Sequence, residues 1–293
     1  ETYLDRRKII DLALRCNAEA VHPGYGFLSE NPDFSRECHE AGLVFIGPAP
    51  EIIALLGDKI RSKETAVQAG VPVVPSSSAW QPGESQPDNL SSEIGFPLLV
   101  KAAAGGGGRG MRLVQRLQDL EQALESASRE AVSSFGDGRV FLERYIPSAR
   151  HVEFQVLADS AGNTIHLFER ECSVQRRYQK VVEVAPSIGL PKETVDELCS
   201  SAVSLAKSIG YDNAGTVEFL MDVDSGEWFF IEMNPRIQVE HTVTEQITGI
   251  DLVRAQLLVA QGHELHGEEV AIPLQEDIPR IGCSVQCRVT TED

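Results

Sequence analysis

Hydrophobic residues recur along the chain with two spacings, and each spacing predicts a kind of element. Apolar positions three and four apart predict amphipathic helices in YLDRRKIIDLALRCN, NPDFSRECHEAG and PKETVDELCSSAVSLAKSIG. Short apolar or alternating runs predict strands, among them AEAVHP, LVFIGP and the hairpin TVEFLMDVDSGEWFFIEMN. Helical and strand patterns alternate up to about residue 50 and give way to hairpins and helices after residue 151, so we predict an α/β region followed by α+β regions.

Changes in composition along the chain predict a series of units. The segment SSSAWQPGESQPDNLSS is the most loop-like in the chain and marks a boundary. We expect both ends to be cut, because the chain starts without an initiator Met and ends on RVTTED in a pattern that continues. The predicted units are a partial N-terminal subdomain at 1–58, a connecting helix at 59–72, a lid subdomain at 73–145, a core at 146–280 and the start of a truncated subdomain at 281–293.

The lid subdomain contains the stretch VKAAAGGGGRGMR, with four consecutive glycines at 105–108. Such a tract loses entropy on ordering and buries no side chain, so it is either a flexible surface loop or a phosphate-binding flap whose bare backbone N–H groups approach the oxygens. No Gly-Lys-Ser/Thr follows it, which excludes a P-loop. Since the predicted strands FPLLVK and MRLV flank the glycines, we predict a hairpin flap that closes over a nucleotide.

The charge balance restricts the classes of ligand. The chain has 26 Lys and Arg against 44 Asp and Glu, a formal net charge of -18, which argues against a nucleic-acid partner and an anionic membrane surface. Phosphate binding in so acidic a chain favours a divalent metal as a bridge. No run of about 18 apolar residues exists, so we expect no transmembrane helix. The cysteines show no CxxC spacing, which argues against a zinc site.

Two acidic residues are predicted to face each other across the last hairpin. If its turn centres on Ser225, Glu218 lies opposite Glu232 on one face of the sheet, with the Cβ atoms about 5 Å apart. Such a pair is tolerated if water surrounds it, if one acid is protonated, or if a cation bridges both. A one-residue slip in register would instead send the two acids to opposite faces.

A wall of polar side chains is predicted to continue from this hairpin, because polar and apolar residues keep alternating beyond it. The polar positions are Glu232, Asn234, Arg236, Gln238 and Glu240. They offer groups for metal ligation and anion binding, although a half-buried edge strand shows the same alternation. A basic cluster in QRRYQK is either an exposed loop or part of this site, and it consists of Arg176, Arg177 and Lys180.

Together these stretches resemble a known family. The motifs are HPGYGFLSEN (22–31), GDK (57–59), KAAAGGGGRGMR (101–112), RHVEFQV (150–156), ERECSVQRRYQKVVE (169–183), AGTVEFL (214–220) and EMNPRIQVEHTVTEQITG (232–249). In this order they resemble the biotin carboxylase component of biotin-dependent carboxylases, over essentially all of the chain. Within the family, HTVTE, VAQGHELH and QCRVTTED are most similar to the pyruvate carboxylases.

The resemblance implies an ATP-grasp fold with a partial Rossmann-like N-terminal subdomain, and it implies roles for residues in the quoted motifs. ATP would be bound by Lys59, Lys101, Gly105, Gly106, Gly107, Gly108, Glu143, Arg144, Tyr145, Ile146, His151 and Gln175. The metal would be held by Glu218, Glu232 and Asn234. Bicarbonate would be bound by Lys180, Arg236, Gln238 and Val239. Glu240 would be the general base, acting in catalysis with Arg236 and Lys180.

The implied activity is MgATP-dependent carboxylation of biotin by bicarbonate through carboxyphosphate, as the first half-reaction of a pyruvate carboxylase-like ligase. The implied cofactors are ATP, Mg²⁺ or Mn²⁺, and biotin attached to a carrier domain outside this chain. The implied partners are that carrier domain, a carboxyltransferase domain and further copies in a homo-oligomer. The resemblance also implies a cytoplasmic location in a bacterium, and the mitochondrial matrix or cytosol in a eukaryote.

Other interpretations remain open at this level. The chain could belong to an acyl-CoA carboxylase acting on acetyl-, propionyl- or methylcrotonyl-CoA. It could also be another ATP-grasp ligase, such as a carbamoyl phosphate synthetase, or a non-catalytic ATP-grasp module. The chain departs from the family pattern at Tyr178, where many relatives carry His or Asn, so no role is carried over to this position.

Overall fold

The computed structural model of the chain describes residues 2–85, 87, 94–105 and 110–291. Within these residues the α-helices are α1 (Arg6–Arg15), α2 (Pro32–Glu40), α3 (Pro50–Gly57), α4 (Lys59–Gln68), α5 (Leu120–Phe135), α6 (Lys192–Ser208), α7 (His241–Thr248) and α8 (Leu252–Ala260). The strands are β1 (Ala20–Val21), β2 (Val44–Phe45), β3 (Leu98–Ala102), β4 (Arg112–Val114), β5 (Val140–Arg144), β6 (Ala149–Ala158), β7 (Thr164–Arg176), β8 (Gln179–Ala185), β9 (Asn213–Asp222), β10 (Trp228–Asn234) and β11 (Ser284–Cys287). The described helices are too short or too polar to cross a membrane.

The N-terminal region forms the βαβ unit that the alternating pattern predicts. Strands β1 and β2 pair in parallel, and α2 connects them. The Asn31 side chain caps α2 by accepting from the backbone N–H of Phe34, and Pro32 occupies the first turn, where a missing N–H does no harm. Phe34 then packs edge to face against Phe45 of β2, with 6.0 Å between ring centroids.

The lid is a separate three-stranded sheet in the order β4-β3-β5, with α5 packed against it. Strands β3 and β4 pair antiparallel on either side of the glycine tract, which confirms the predicted hairpin. The lid is tied to the start of α4 by two contacts. The Lys59 N–H donates to the Ala103 carbonyl at 2.9 Å, and Arg139 donates to Asp58, the N-cap of α4, at 2.9 Å.

The third sheet has six antiparallel strands in the order β10-β9-β6-β7-β8-β11. Alternate residues of β6 point to opposite faces, as a pleated strand requires. Val152, Phe154 and Val156 pack in the same apolar cluster as the buried face of α6. Glu153 and Gln155 face the other way, so the polar face of this sheet forms one wall of the site described below.

The predicted pairing of Glu218 with Glu232 is confirmed, although the hairpin reaches it by a different route. Near the turn, Phe229 pairs with Leu220, one residue away from the register that a turn centred on Ser225 would produce. A β-bulge between Phe230 and Glu232 then absorbs one residue of β10 and restores the expected pairing.

The alternating residues beyond this hairpin do not continue the strand, although the five polar ones all line the cavity described below. Strand β10 ends at Asn234, and α7 begins at His241 after a short irregular segment. Pro235 has no N–H to donate to a ladder, which explains why the strand stops there. The cysteines described in the structure are free thiols, and Cys16, Cys283 and Cys287 are exposed.

Candidate active site

A cavity of about 1530 Å³ lies between the lid, the start of α4 and the polar face of the six-stranded sheet. Every described residue to which the family resemblance assigns a role lines it, whereas Arg177 of the predicted basic cluster is exposed outside it. Gly106, Gly107 and Gly108 lie outside the described residues. The lining residues singled out in the sequence are Lys59, Lys101, Gly105, Glu143, Arg144, Tyr145, Ile146, His151, Gln175, Arg176, Tyr178, Lys180, Glu218, Glu232, Asn234, Arg236, Gln238, Val239 and Glu240. Segments up to 181 residues apart in sequence therefore share one space.

Glu218 lines this space and is buried. One of its carboxylate oxygens, Oε1, accepts from Asn234 at 2.8 Å and from Gln238 at 2.9 Å. The other, Oε2, lies 2.6 Å from Nε2 of His151. Burial alone would raise the pKa of Glu218, but the positive charges of Lys180 and His151 outweigh burial and hold it well below the ordinary value, so the carboxylate is ionised.

Lys180 joins Glu218 to the predicted general base. Its Nζ lies 2.8 Å from Glu218 and 2.9 Å from Glu240, and it also pairs with Glu153. Burial disfavours the charged amine, but these carboxylates raise the pKa of Lys180 well above its ordinary value. One buried ammonium group thus connects three acids, which come from β6, β9 and the residue before α7.

Glu240 is the N-cap residue of α7, and only 2% of its surface is exposed. Burial alone would raise the pKa of Glu240, but Lys180 and Arg170 outweigh burial and keep it below the ordinary value. The second carboxylate oxygen accepts from Arg288 at 2.8 Å. Glu240 is therefore an ionised carboxylate that faces the cavity, as a proton acceptor must be at neutral pH.

Other cations also line the cavity, and three of them pair with acids. Lys59 at the start of α4 pairs with Glu232, and Lys101 of β3 pairs with the buried Glu143 of β5. Arg236 donates to Glu30 at 2.7 Å and to Asn234 at 3.1 Å. The positive side chains needed for an anionic ligand are thus present, and carboxylate partners hold them in place.

The oxygen donors fit a hard divalent cation. Glu218 and Glu232 stand directly opposite each other on β9 and β10, and Asn234 follows two residues later on the same strand. Carboxylate and amide oxygens are the ligands that Mg²⁺ prefers, and it usually adds substrate phosphates and waters to one or two such carboxylates. The residues present could therefore hold Mg²⁺ between the sheet and a phosphate chain.

Four charged residues at or behind this site were not predicted from the sequence, namely Lys63, Glu153, Arg170 and Arg288. Arg170 is fully buried, and it donates to Glu153 at 2.6 Å and to Gln238 at 2.9 Å. The alternation in RHVEFQV places Glu153 on one face of β6, but only the strand order shows that this face borders Glu218. The isolated Lys63 and Arg288 have no pattern that could have identified them.

Two family models match the chain, one after the other. The model described as the biotin carboxylase N-terminal domain matches residues 1–53. The model described as the carbamoyl-phosphate synthase L chain ATP-binding domain matches residues 58–268. The second match covers most of the chain and shows that it contains an ATP-binding domain of this type.

Pyruvate carboxylases are among the curated relatives. The chain is 52% identical to the pyruvate carboxylase of Staphylococcus aureus over 100% of its own length and 25% of that protein. It is 50% identical to the human mitochondrial pyruvate carboxylase over 100% of its length and 24% of that protein. The relatives thus include bacterial and mitochondrial proteins, and the chain spans about a quarter of their length.

Solved structures lead to the same family. A pyruvate carboxylase from Rhizobium etli superposes with a TM-score of 0.95 at 47% identity, over 100% of this chain and 26% of that one. A Campylobacter jejuni biotin carboxylase in complex with a β,γ-ATP ligand gives a TM-score of 0.93 at 47% identity, over 99% of this chain and 64% of that one. The biotin carboxylase domain of a Hydrogenobacter thermophilus 2-oxoglutarate carboxylase, bound to MgADP, ADP and bicarbonate, gives a TM-score of 0.88 at 49% identity. This match covers 98% of this chain and 62% of that one. Together with the matching family models, these similarities show that the chain belongs to the biotin carboxylase family and has its ATP-grasp fold.

Proposed function

We propose that this chain is the biotin carboxylase part of a pyruvate carboxylase-like enzyme, and that it uses MgATP and bicarbonate to carboxylate biotin. The observation that supports this best is the contact of a single ammonium group, that of Lys180, with both Glu218 and Glu240. This contact places a proposed metal ligand, Glu218, and the proposed base, Glu240, next to one cation that can bind an anion. The relatives named as pyruvate carboxylases and the neighbour bound to MgADP and bicarbonate support the same activity.

ATP binding is assigned to the lid side of the cavity. Lys59 and Lys101 bind the phosphates, Gly105 begins the flap that covers them, and residues 143–146 border the adenine, with His151 and Gln175 nearby. Glu218, Glu232 and Asn234 would hold Mg²⁺, which would supply positive charge to offset that of the phosphates. Lys59 then leaves Glu232, and Lys101 leaves Glu143, as the anionic nucleotide and the cation enter together.

Bicarbonate activation is assigned to the other end of the cavity. Lys180, Arg236, Gln238 and Val239 hold the anion, and Glu240 takes its proton. A bicarbonate oxygen then attacks the γ-phosphorus as the bond to ADP breaks, which forms carboxyphosphate. Because a second anion beside Lys180 shares the charge that now lowers the pKa of Glu240, bicarbonate binding itself makes Glu240 a stronger base.

Water exclusion completes the proposal. Carboxyphosphate hydrolyses in water, so the lid must stay closed while it breaks down to CO₂ and phosphate. Biotin supplies the ureido nitrogen that accepts the carboxyl group, and the phosphate released beside it takes the nitrogen-bound proton. The chain's own contribution at this stage is to hold that phosphate near Lys180 and Arg236 and to keep water out.

The proposed partners and location are inferred from the matched relatives. Since the matched relatives are about four times as long as this chain, we propose that carrier and carboxyltransferase domains act with it in a homo-oligomeric enzyme. The location would be the cytoplasm in a bacterium, and the mitochondrial matrix or the cytosol in a eukaryote. Pyruvate is the proposed final acceptor, and a different transferase partner would direct the same half-reaction to 2-oxoglutarate or an acyl-CoA.

The test is to measure ADP release by the full-length protein with and without bicarbonate and biotin. We expect hydrolysis that needs Mg²⁺, rises with bicarbonate, and is lost in the double variant Glu218→Gln, Glu232→Gln. Incorporation of ¹⁴C-bicarbonate is then compared with pyruvate, 2-oxoglutarate and acetyl-CoA as acceptors. Unchanged Mg²⁺-dependent turnover in the double variant would remove the metal assignment, and bicarbonate-independent hydrolysis would remove the carboxylase assignment.

A further inference from the structure

Glu143 is a buried carboxylate that receives two ammonium groups. Its Oε1 pairs with Lys63 of α4, its Oε2 pairs with Lys101 of β3, and only 1% of its side chain is exposed. The two lysines differ in position, because Lys101 lines the nucleotide cavity and Lys63 does not. Lys63 is instead held inside the fold, where its Nζ donates to the Val74 carbonyl at 3.1 Å and lies 5.3 Å from the centre of the Phe141 ring.

The two lysines therefore have different freedom to move. Lys101 can turn into the cavity toward a phosphate, and in doing so its ammonium group must leave Glu143. If Lys101 were the sole partner of Glu143, this movement would leave an ionised carboxylate buried without a counter-charge, which is strongly unfavourable. Lys63 removes that obstacle, because its position on the far side of Glu143 does not depend on the contents of the cavity.

The positions of Lys59 and Lys63 on α4 support these different roles of Lys63 and Lys101. Lys59 and Lys63 are four residues apart, so they project from the same side of the helix. Lys59 reaches the cavity and Glu232, whereas Lys63, one turn further along, reaches the carboxylate that holds the second phosphate lysine. A single helix, anchored by the Asp58 cap, thus sets the electrostatic environment of both Lys59 and Lys101.

We propose that Lys63 is a positioning residue for nucleotide binding, which keeps Glu143 paired when Lys101 turns from Glu143 to the nucleotide phosphates. This rests on the proposed function, since it takes a nucleotide di- or triphosphate as the ligand. Lys63 itself touches no substrate. Its effect is exerted through the charge of Glu143, and so it must vanish when that charge is removed.

This dependence defines the experiment, which is a double-mutant cycle in the full-length protein. The dissociation constant of MgADP is measured by calorimetry for wild type, Lys63→Met, Glu143→Gln and the combination of both. We expect Lys63→Met to weaken MgADP binding on the order of tenfold, because Lys101 is then retained by Glu143. In the Glu143→Gln background the same substitution should change binding by less than about twofold.

Two controls separate this role from simple stabilisation of the fold. Arg61→Met removes a positive charge from the exposed side of the same helix and should leave MgADP binding unchanged. Adenosine has no phosphate to draw Lys101 away, so its affinity should be the same in Lys63→Met and wild type. Thermal unfolding is recorded for every variant, and Lys63→Gln replaces Lys63→Met if the latter does not fold.

Equal weakening of MgADP binding by Lys63→Met in both backgrounds would overturn the proposal, as would no weakening in either. Equal losses for adenosine and MgADP would also overturn it, because they would indicate general damage to the pocket. If wild type binds no MgADP, the proposed function fails. That result is distinct from wild-type binding that Lys63→Met leaves unaffected, which overturns only the role of Lys63.

Discussion

Glu240 is held between two cations, with Lys180 at 2.9 Å from one carboxylate oxygen and Arg288 at 2.8 Å from the other. This arrangement keeps an almost fully buried acid ionised and oriented toward the cavity. A carboxylate in water would also be ionised at neutral pH, but it would have no fixed direction. The contribution of the fold at this residue is therefore orientation together with water exclusion.

Replacing this carboxylate by an amide tests the role of Glu240. Because the Gln side chain has nearly the same shape as Glu, we expect Glu240→Gln to retain MgADP binding. The amide cannot accept the proton of bicarbonate, so most catalytic activity should be lost. Bicarbonate-dependent ADP release should fall by about 10² to 10⁴-fold, the usual contribution of a general base. Steady-state kinetics with varied bicarbonate check this, and a kcat equal to that of wild type would exclude Glu240 as the base.

The lowered pKa of Glu143 predicts that the stability of the protein depends on pH. Burial would raise its pKa, but Lys101 and Lys63 outweigh burial and lower it from 4.5 to about 2. Because the folded pKa lies below the unfolded one, the ionised carboxylate stabilises the fold above pH about 4.5, and that stabilisation is lost progressively as the pH falls toward about 2. Between pH about 6 and about 3, this group alone should lower the free energy of unfolding by about 2 kcal/mol.

Urea unfolding at the two pH values measures this loss in wild type and in Glu143→Gln. The variant has no carboxylate to titrate, so its stability should fall by about 2 kcal/mol less than that of wild type. Equal losses in both proteins would show that Glu143 does not keep the depressed pKa in the folded state.

At the scale of elements, the lid is a small sheet whose flap begins at a crowded point. Gly105 has a φ of +81°, and a Cβ built on it would lie 2.2 Å from the Phe135 ring at the end of α5. A glycine is therefore required for two reasons, the left-handed backbone and the close approach of the ring. Gly105 is thus in close contact with the end of α5.

Gly105→Ala should consequently destabilise the lid by about 1 to 3 kcal/mol and weaken MgADP binding. Gly136→Ala is the matched control, since Gly136 has a similar φ of +75° but no atom within 4 Å of its Cβ position. The control should show only the smaller backbone effect of about 1 kcal/mol. Thermal unfolding and calorimetry measure both, and equal effects of the two substitutions would contradict the role of the Phe135 contact.

At the scale of the whole molecule, Arg170 connects parts of the chain that are far apart in sequence. From β7 it donates to residues on β6 and β9, to the segment before α7 and to α7 itself. The acceptors are Glu153, Gln155, Thr216, Gln238 and Thr244. All five bonds come from the one guanidinium group of Arg170, which is fully buried. This residue therefore holds together the part of the cavity wall that contains Glu218 and Gln238.

We expect Arg170→Met to destabilise the protein by about 3 to 5 kcal/mol, because buried polar groups lose their partner. Arg129→Met is the control, since the Arg129 side chain is 71% exposed and its pair with Glu125 lies on the surface. That substitution should change stability by less than about 0.5 kcal/mol. Urea unfolding measures both, and a loss below about 1 kcal/mol for Arg170→Met would show that Arg170 does not organise this face.

The sequence by itself determined the elements and most of the candidate site. Helical spacing and alternation depend on neighbours along the chain, so the βαβ start, the glycine hairpin and the paired strands β9 and β10 were predictable. The pairing of Glu218 with Glu232 was predictable because it is local to one hairpin. The motif resemblance added the remaining site residues, and the structure places those that it describes around one cavity.

Only the tertiary structure decided which charges meet. The bulge in β10, the end of that strand at Asn234, and the partners of Lys63, Arg170 and Arg288 depend on strand order and on contacts between distant segments. Such contacts leave no periodic signal, because a single buried charge is stabilised by whichever partners the fold brings to it. For the same reason the sequence indicated Lys101 as a candidate phosphate ligand, whereas the buried carboxylate that it shares with Lys63 became visible only in three dimensions.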